Sequence, residues 1–321
     1  MKPFDSRRLV PSSCAAALRV MIILVTAGVT GGYGPAATEL SPLKIGGGLI
    51  NVELNAEGSS PGAADLHWWI EAAAKSVSRY YGRYPMPELE LQIRVAGEPG
   101  VSHGNTLGGK QHARTRVTVG AGTTAEQFRS DWVLPHEMVH LAFPNVADEH
   151  HWMEEGIATY VEPIARLQAG YLKPEKVWGD LVRDLPQGLP RSGDKGLDRT
   201  RTWANTYWGG ALFCFLADVK IRQQTHNQKG LQDALRGILA AGGNIGEDWD
   251  LERAIAAGDQ ATGTRVLQQL YAEAKDKPME VDLDAMWQQL GVARRDGVTT
   301  FNERAPLAAV RRSINAGKKQ R

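Results

Sequence analysis

The chain has 321 residues, with 37 lysines and arginines against 36 acidic residues, a formal net charge of +1 and 42% apolar residues. That length and composition suffice for one large core or two closely joined lobes and exclude disorder over most of the chain. A charge near zero with no basic stripe excludes a nucleic-acid partner bound through its phosphates. Two cysteines are present. Cys14 lies in the leader and Cys214 in an apolar helical pattern, so the mature chain has no internal disulfide to make.

Residues 1–37 are read as a signal peptide or an uncleaved N-terminal anchor. Arg7, Arg8 and Arg19 precede an apolar run from Val20 to Val29, too short for a spanning helix and suited to the hydrophobic region of a bacterial signal. Export to the periplasm or the medium is expected, with cleavage near Ala36 or Ala37. Ser6-Arg7-Arg8 matches a twin-arginine signal only loosely.

From Leu43 to Glu57 a weak alternation through Ile45, Leu49, Val52 and Leu54 predicts one or two strands, broken at Gly46-Gly47-Gly48. A helix is predicted over Ala63–Tyr81, where Leu66, Trp69, Ile70, Ala73, Val77 and Tyr80 recur at three and four, and Gly82 ends it. Leu89–Val95 and Arg116–Val119 read as strands of one small sheet. Gly104–Gly109, between them, is expected as a loop. Thr123 with Glu126, or Thr124 with Gln127, caps the next helix. Pro135 cannot donate to the carbonyl of Asp131, so that helix is kinked or restarts, leaving His136–Phe143 helical until Pro144 and Asn145. Ile157, Tyr160, Val161, Ile164 and Leu167 carry a further helix through Pro163.

From Lys173 the chain reads as mostly helical, near Pro174–Leu185, Ala204–Thr225, Gly230–Ala241, Leu251–Ala257, Thr262–Ala274 and Asp284–Leu290. Leu185–Thr200, rich in proline, glycine and charge, is a long loop expected to rim the site. The basic tail, 311–321, is expected to fray. The chain beyond the leader thus divides into residues 38–170, an α/β lobe, and residues 171–310, a helical lobe.

The chemistry concentrates in His136-Glu137-Met138-Val139-His140. Residues four apart share a helix face about 6 Å apart along the axis, so both imidazoles can reach one cation. Two neutral nitrogens and a carboxylate suit a catalytic zinc, which keeps a position for water. Glu137, beside the first ligand, is placed to take a proton from that water. The flanking Phe128, Trp132, Val133, Leu134, Leu141, Ala142 and Phe143 form the apolar frame of a buried helix. If His136 and His140 were ordinary core histidines, three polar groups would be buried without a shared ion, which is costly. A third-histidine motif would need glycine at 143 and histidine at 146, where Phe143 and Val146 stand. His150 and His151 are further possible ligands in a polar stretch. Glu154 and Glu155 compete for the carboxylate role, since neighbours on a helix point about 100° apart.

Trp152-Met153-Glu154-Glu155-Gly156-Ile157-Ala158-Thr159-Tyr160 resembles the gluzincins, the thermolysin-like metallopeptidases that include aminopeptidase N and the glycyl aminopeptidases. In those families the third ligand opens a Glu-Gly run on a second helix, and the resemblance assigns that role to Glu155. Tyr207-Trp208-Gly209-Gly210-Ala211 resembles the Tyr-x-x-Gly-Ala helix of the glycyl aminopeptidase branch, which implies that the Tyr207 hydroxyl faces the metal and stabilises an oxyanion. The alternative is that Tyr207 is a core aromatic at the start of an apolar helix. Thr159 and Glu162, one and two turns beyond Glu155, are candidates to orient a ligand imidazole.

The resemblance, over roughly Gly62–Asp259, implies an α+β fold: a thermolysin-like zincin catalytic domain with a small mixed sheet lobe and a predominantly helical C-terminal lobe. It further implies one zinc ion, a peptide or protein substrate and peptide-bond hydrolysis. The chain departs from the family in lacking sequence for the large β-domain and any Gly-Ala-Met-Glu-Asn segment, which leaves terminal against internal cleavage open. A catalytically silent binding or scaffold protein that keeps the fold is the competing expectation.

Overall fold

The computed structural model describes residues 38–56 and 58–317. The expected leader with Cys14 and its arginines, the cleavage position and the last four basic-tail residues lie outside the described residues.

β1 (Thr38–Ile45) and β2 (Gly48–Ala56) form a hairpin turned at Gly46 and Gly47, both at positive φ. α1 (Ala63–Tyr81) follows and ends at Gly82, whose φ of 83° is the left-handed cap glycine accepts without strain. β3 (Glu88–Val95), β4 (Val101–Leu107) and β5 (His112–Val119) complete a five-stranded sheet in the order β1-β2-β3-β5-β4. β3 runs parallel to β2 and β5, and the two edge strands are antiparallel to their neighbours. Period-two alternation puts Ile50, Val52, Leu89, Leu91, Ile93, Val117 and Val119 into the core. On the other face polar side chains form ladders such as Arg116 Nε to Gln92 and Gln92 to Glu53, both 2.9 Å.

The segment expected as a loop from Gly104 is therefore in part a strand. Its glycine, asparagine and threonine content hides a strand from any pattern of hydrophobicity, and pairing with β5 supplies what the side chains do not.

α2 (Ala125–Ser130) carries the Thr124–Gln127 capping box. The chain then breaks at Asp131, and α3 (Val133–His140) restarts with Pro135 at its third position, where a missing backbone N–H costs no helical bond. Asp131 caps the restart, accepting from the backbone N–H of Val133 (2.9 Å) and Leu134 (3.1 Å) and from Trp69 Nε1 (2.7 Å). α4 (His151–Gln168) runs through Pro163. Thereafter come α5 (Pro174–Asp184), a π-helical turn at Asn205–Gly209, α6 (Gly210–Gln224), α7 (Leu231–Ala240), α8 (Leu251–Thr262), α9 (Val266–Ala274) and α10 (Leu283–Leu290).

Two features depart from expectation at the C-terminal end. β6 (Val292–Arg295) and β7 (Val298–Phe301) make a small hairpin, and α11 (Ala308–Ala316) occupies the segment expected to fray. Buried Val310 and Ile314, the bond from Trp178 Nε1 to Asn315 and above all Arg311 hold the second. Arg311 is 1% exposed, donates to the Gly291 carbonyl at 2.7 Å and lies over the Phe301 ring, so this arginine ties α11 to the hairpin.

α1, α3 and α4 pack together beneath the sheet, with α3 against β4 and α4 against α6. Where α4 crosses α6 the helices meet through glycines: a Cβ on Gly156 would stand 2.3 Å from the Gly210 carbonyl carbon. Only this small-residue crossing lets the π-helical turn approach α4 closely. No helix among the described residues is long and apolar enough to cross a membrane.

Candidate metal centre

His136 and His140, one turn apart on α3, and Glu155 on α4 face one another across the α3–α4 contact. One donor atom from each lies within 4.8 Å of the others, the one such group of histidine, cysteine and carboxylate ligands among the described residues. Glu155 Oε2 is 3.2 Å from His136 Nε2 and 3.7 Å from His140 Nε2. Ligands bonded tetrahedrally to one zinc at 2.0–2.2 Å stand about 3.4 Å apart, so these separations bracket what the ion requires. The donor chemistry fits as well, with two imidazoles and one carboxylate. Burial opposes the charge on Glu155, but His140 and His136 outweigh it and hold its carboxyl down at about 2. Burial likewise pulls the His136 imidazole down, and the bond to Glu155 and the Glu155 charge more than reverse it, leaving a net upward shift.

Glu154 points elsewhere. Its Oε1 accepts from the Val146 N–H at 3.0 Å and its Oε2 stands 2.7 Å from His151 Nδ1, so of the two competing carboxylates Glu155 is the one turned to the histidines. His150 faces Asp198 at 3.0 Å, away from the cluster. His151 is the first residue of α4 and lines the cleft, with Nε2 3.4 Å from Glu155 Oε1.

Glu137 is buried beside the cluster and held by the sheet. Thr106 Oγ1 donates to its Oε2 at 2.7 Å, and Gly104 leaves its side chain room: a Cβ there would stand 2.5 Å from Glu137 Oε1. Neither Gly104 nor Thr106 was picked out for this contact from sequence. The edge strand that carries them is not visible as a strand, and the contact spans 31 positions.

Tyr207 lies in the π-helical turn and lines the same cleft, its ring stacked on His136 at 6.3 Å and 22°. Burial first, then the Glu155 and Glu137 carboxylates, push its hydroxyl well up, so it stays a protonated donor. Trp203 also stacks on this ring, the centroids 5.5 Å apart.

The cleft has a volume of about 250 Å³, bounded by Gly104, Asn105 and Thr106 of β4 on one side and by His151, Tyr207 and Ile245 among others on the remaining sides. A wider depression of about 570 Å³ on the polar sheet face meets it at Gly104 and Asn105 but holds no such cluster. The Leu185–Thr200 loop does not rim the cleft. Its Asp198 is instead drawn inward, accepting from Trp152 Nε1 at 2.8 Å and the Tyr271 hydroxyl at 2.9 Å. Glu162 pairs with Arg166 at 2.6 Å and Thr159 Oγ1 is buried without a partner, so neither holds a ligand imidazole.

No family model matches the chain, and none of the curated proteins does. Solved structures do. An aminopeptidase N family protein from Idiomarina loihiensis is 12% identical with a TM-score of 0.60, over 84% of this chain and 53% of that one. A two-domain M1 zinc metallopeptidase bound to L-arginine is 17% identical with a TM-score of 0.51, over 77% of this chain and 53% of that one. A variant of the Deinococcus radiodurans M1 zinc metallopeptidase, bound to a Tyr-Ser-Ala substrate, is 16% identical with a TM-score of 0.50, over 77% and 53% respectively. The chain thus spans about half the length of the structures it matches. At these identities the likeness is one of fold: the chain has the α+β fold of the M1 zinc metallopeptidases.

Proposed function

We propose that the chain is an exported, zinc-dependent metallopeptidase that hydrolyses peptide bonds with one zinc held by His136, His140 and Glu155. The observation that carries this is the convergence of three donor atoms within 4.8 Å in a cleft that also presents Glu137 and Tyr207. The peptide bound to the similar D. radiodurans enzyme supports a peptide as the ligand class.

Zinc, when bound, supplies a Lewis acid for a carbonyl oxygen and for a water molecule. Glu137 accepts the proton of the attacking water and returns it to the leaving amine. Thr106 fixes that carboxylate through Oε2, leaving Oε1 turned toward the strand edge at Gly104. The Tyr207 hydroxyl, kept protonated by its surroundings, donates to the oxyanion that forms at the attacked carbonyl. β4 is an edge strand bordering the cleft, so its backbone is available to pair with an extended substrate.

The test is cleavage of a degenerate peptide library by the zinc-loaded chain, with and without chelator. Hydrolysis that disappears on chelation and returns with zinc is expected, and the cut positions separate terminal from internal cleavage. A chain that takes up zinc and leaves every peptide intact is the silent binding protein instead.

A further inference from the structure

We propose that His151 is a positioning residue for Glu155, holding the carboxylate so that one oxygen is free for the metal. This rests on the metal-site assignment above and adds a residue to it.

His151 opens α4, so Glu154 and Glu155 follow at three and four positions, both on the face it overlooks. Its two nitrogens divide between them. Nδ1 stands 2.7 Å from Glu154 Oε2, and Nε2 stands 3.4 Å from Glu155 Oε1. Glu154 is itself anchored from the far side, its Oε1 accepting from the backbone N–H of Val146 at 3.0 Å. The backbone of the α3–α4 connection therefore fixes Glu154, Glu154 fixes the imidazole, and the imidazole faces the outer oxygen of Glu155. The inner oxygen, Oε2, is the one turned to His136 and His140.

This inverts the usual arrangement, in which a carboxylate orients a ligand imidazole. Here an imidazole orients a ligand carboxylate. Half of the His151 side chain is in solvent, so the ring contributes little to the core, and its removal tests orientation rather than folding. A carboxylate with one unrestrained oxygen swings about its last torsion. That freedom must be lost on binding the ion, and a preset rotamer avoids the loss.

The experiment measures the zinc Kd of the full chain by competition with chelators at near-neutral pH, for the wild type, His151→Ala, His151→Gln and the double variant His151→Ala with Glu154→Gln. Visible absorption of the cobalt-loaded forms serves as a second readout. His151→Ala is expected to weaken zinc binding roughly 10–100-fold and to alter the cobalt spectrum, with the melting temperature of the metal-free chain unchanged. His151→Gln, which keeps one N–H donor, is expected to recover part of the loss. Adding Glu154→Gln to His151→Ala is expected to cost nothing more, because both act on one oxygen. Wild type and His151→Ala with indistinguishable Kd and cobalt spectra would overturn the relay alone. A wild-type chain that takes up no zinc would overturn the metal-site assignment and the relay with it.

Discussion

Glu137 is held from two directions. Thr106 Oγ1 donates its one proton to the carboxylate at 2.7 Å and lies 3.1 Å from the Glu137 carbonyl, while Gly104 leaves the space its side chain fills. Glu137→Gln is therefore expected to keep zinc and lose roughly 10²–10⁴ in turnover, read from kcat alongside metal content. Near-normal turnover would remove Glu137 from the proton-transfer role. Gly104→Ala acts on the same group without touching its chemistry. The added Cβ collides with the carboxylate, and since misplacement by ~1 Å costs about 10²-fold, kcat is expected to fall by about that much while zinc stays bound. The histidines and Glu137 were legible in the sequence because four residues on a helix are local. Gly104 and Thr106 were not, since their part depends on which edge of a sheet ends up over α3.

At the level of elements, α3 depends on how it starts. Asp131 supplies two backbone caps and the partner of the buried Trp69 indole, and burial pushes its carboxyl up against the pull of those three bonds. Asp131→Ala removes the caps and strands the indole N–H, a loss of about 1–3 kcal/mol. Denaturant titration is expected to register it, with Asp131→Asn recovering part; an unchanged midpoint would mean that α3 starts without its cap. One capping box, at α2, and the apolar spacings placed most helices from sequence, and Pro135 correctly announced a break or a kink. What escaped was whatever depends on partners far along the chain. β4 is a strand through pairing, β6 and β7 are short and largely exposed, and α11 is held by distant partners, Arg311 on the Gly291 carbonyl, Trp178 Nε1 on Asn315 and the buried Val310 and Ile314. The π-helical turn has no local signature either; its place follows from the glycine crossing of α4 and α6.

Across the described residues, an ion held by His136, His140 and Glu155 would tie α3 to α4, two helices of the core. Cys214, on α6 against α4, gives a way to see this. It is fully buried, which pushes its thiol well up, so alkylation requires the fold to open. With Cys14 replaced by serine, zinc at about 100 times its Kd is expected to slow labelling of Cys214 about 100-fold, equivalent to about 2.7 kcal/mol of added stability. Equal rates with and without chelator would mean that this part of the core opens independently of the site. The central claim is that two imidazoles and one carboxylate grip a single ion, and metal analysis of the purified chain after exhaustive dialysis tests it most directly. One zinc per chain is predicted, falling to none when His140 and Glu155 are both changed to alanine. A chain without stoichiometric metal, or one whose zinc survives that double substitution, would contradict it.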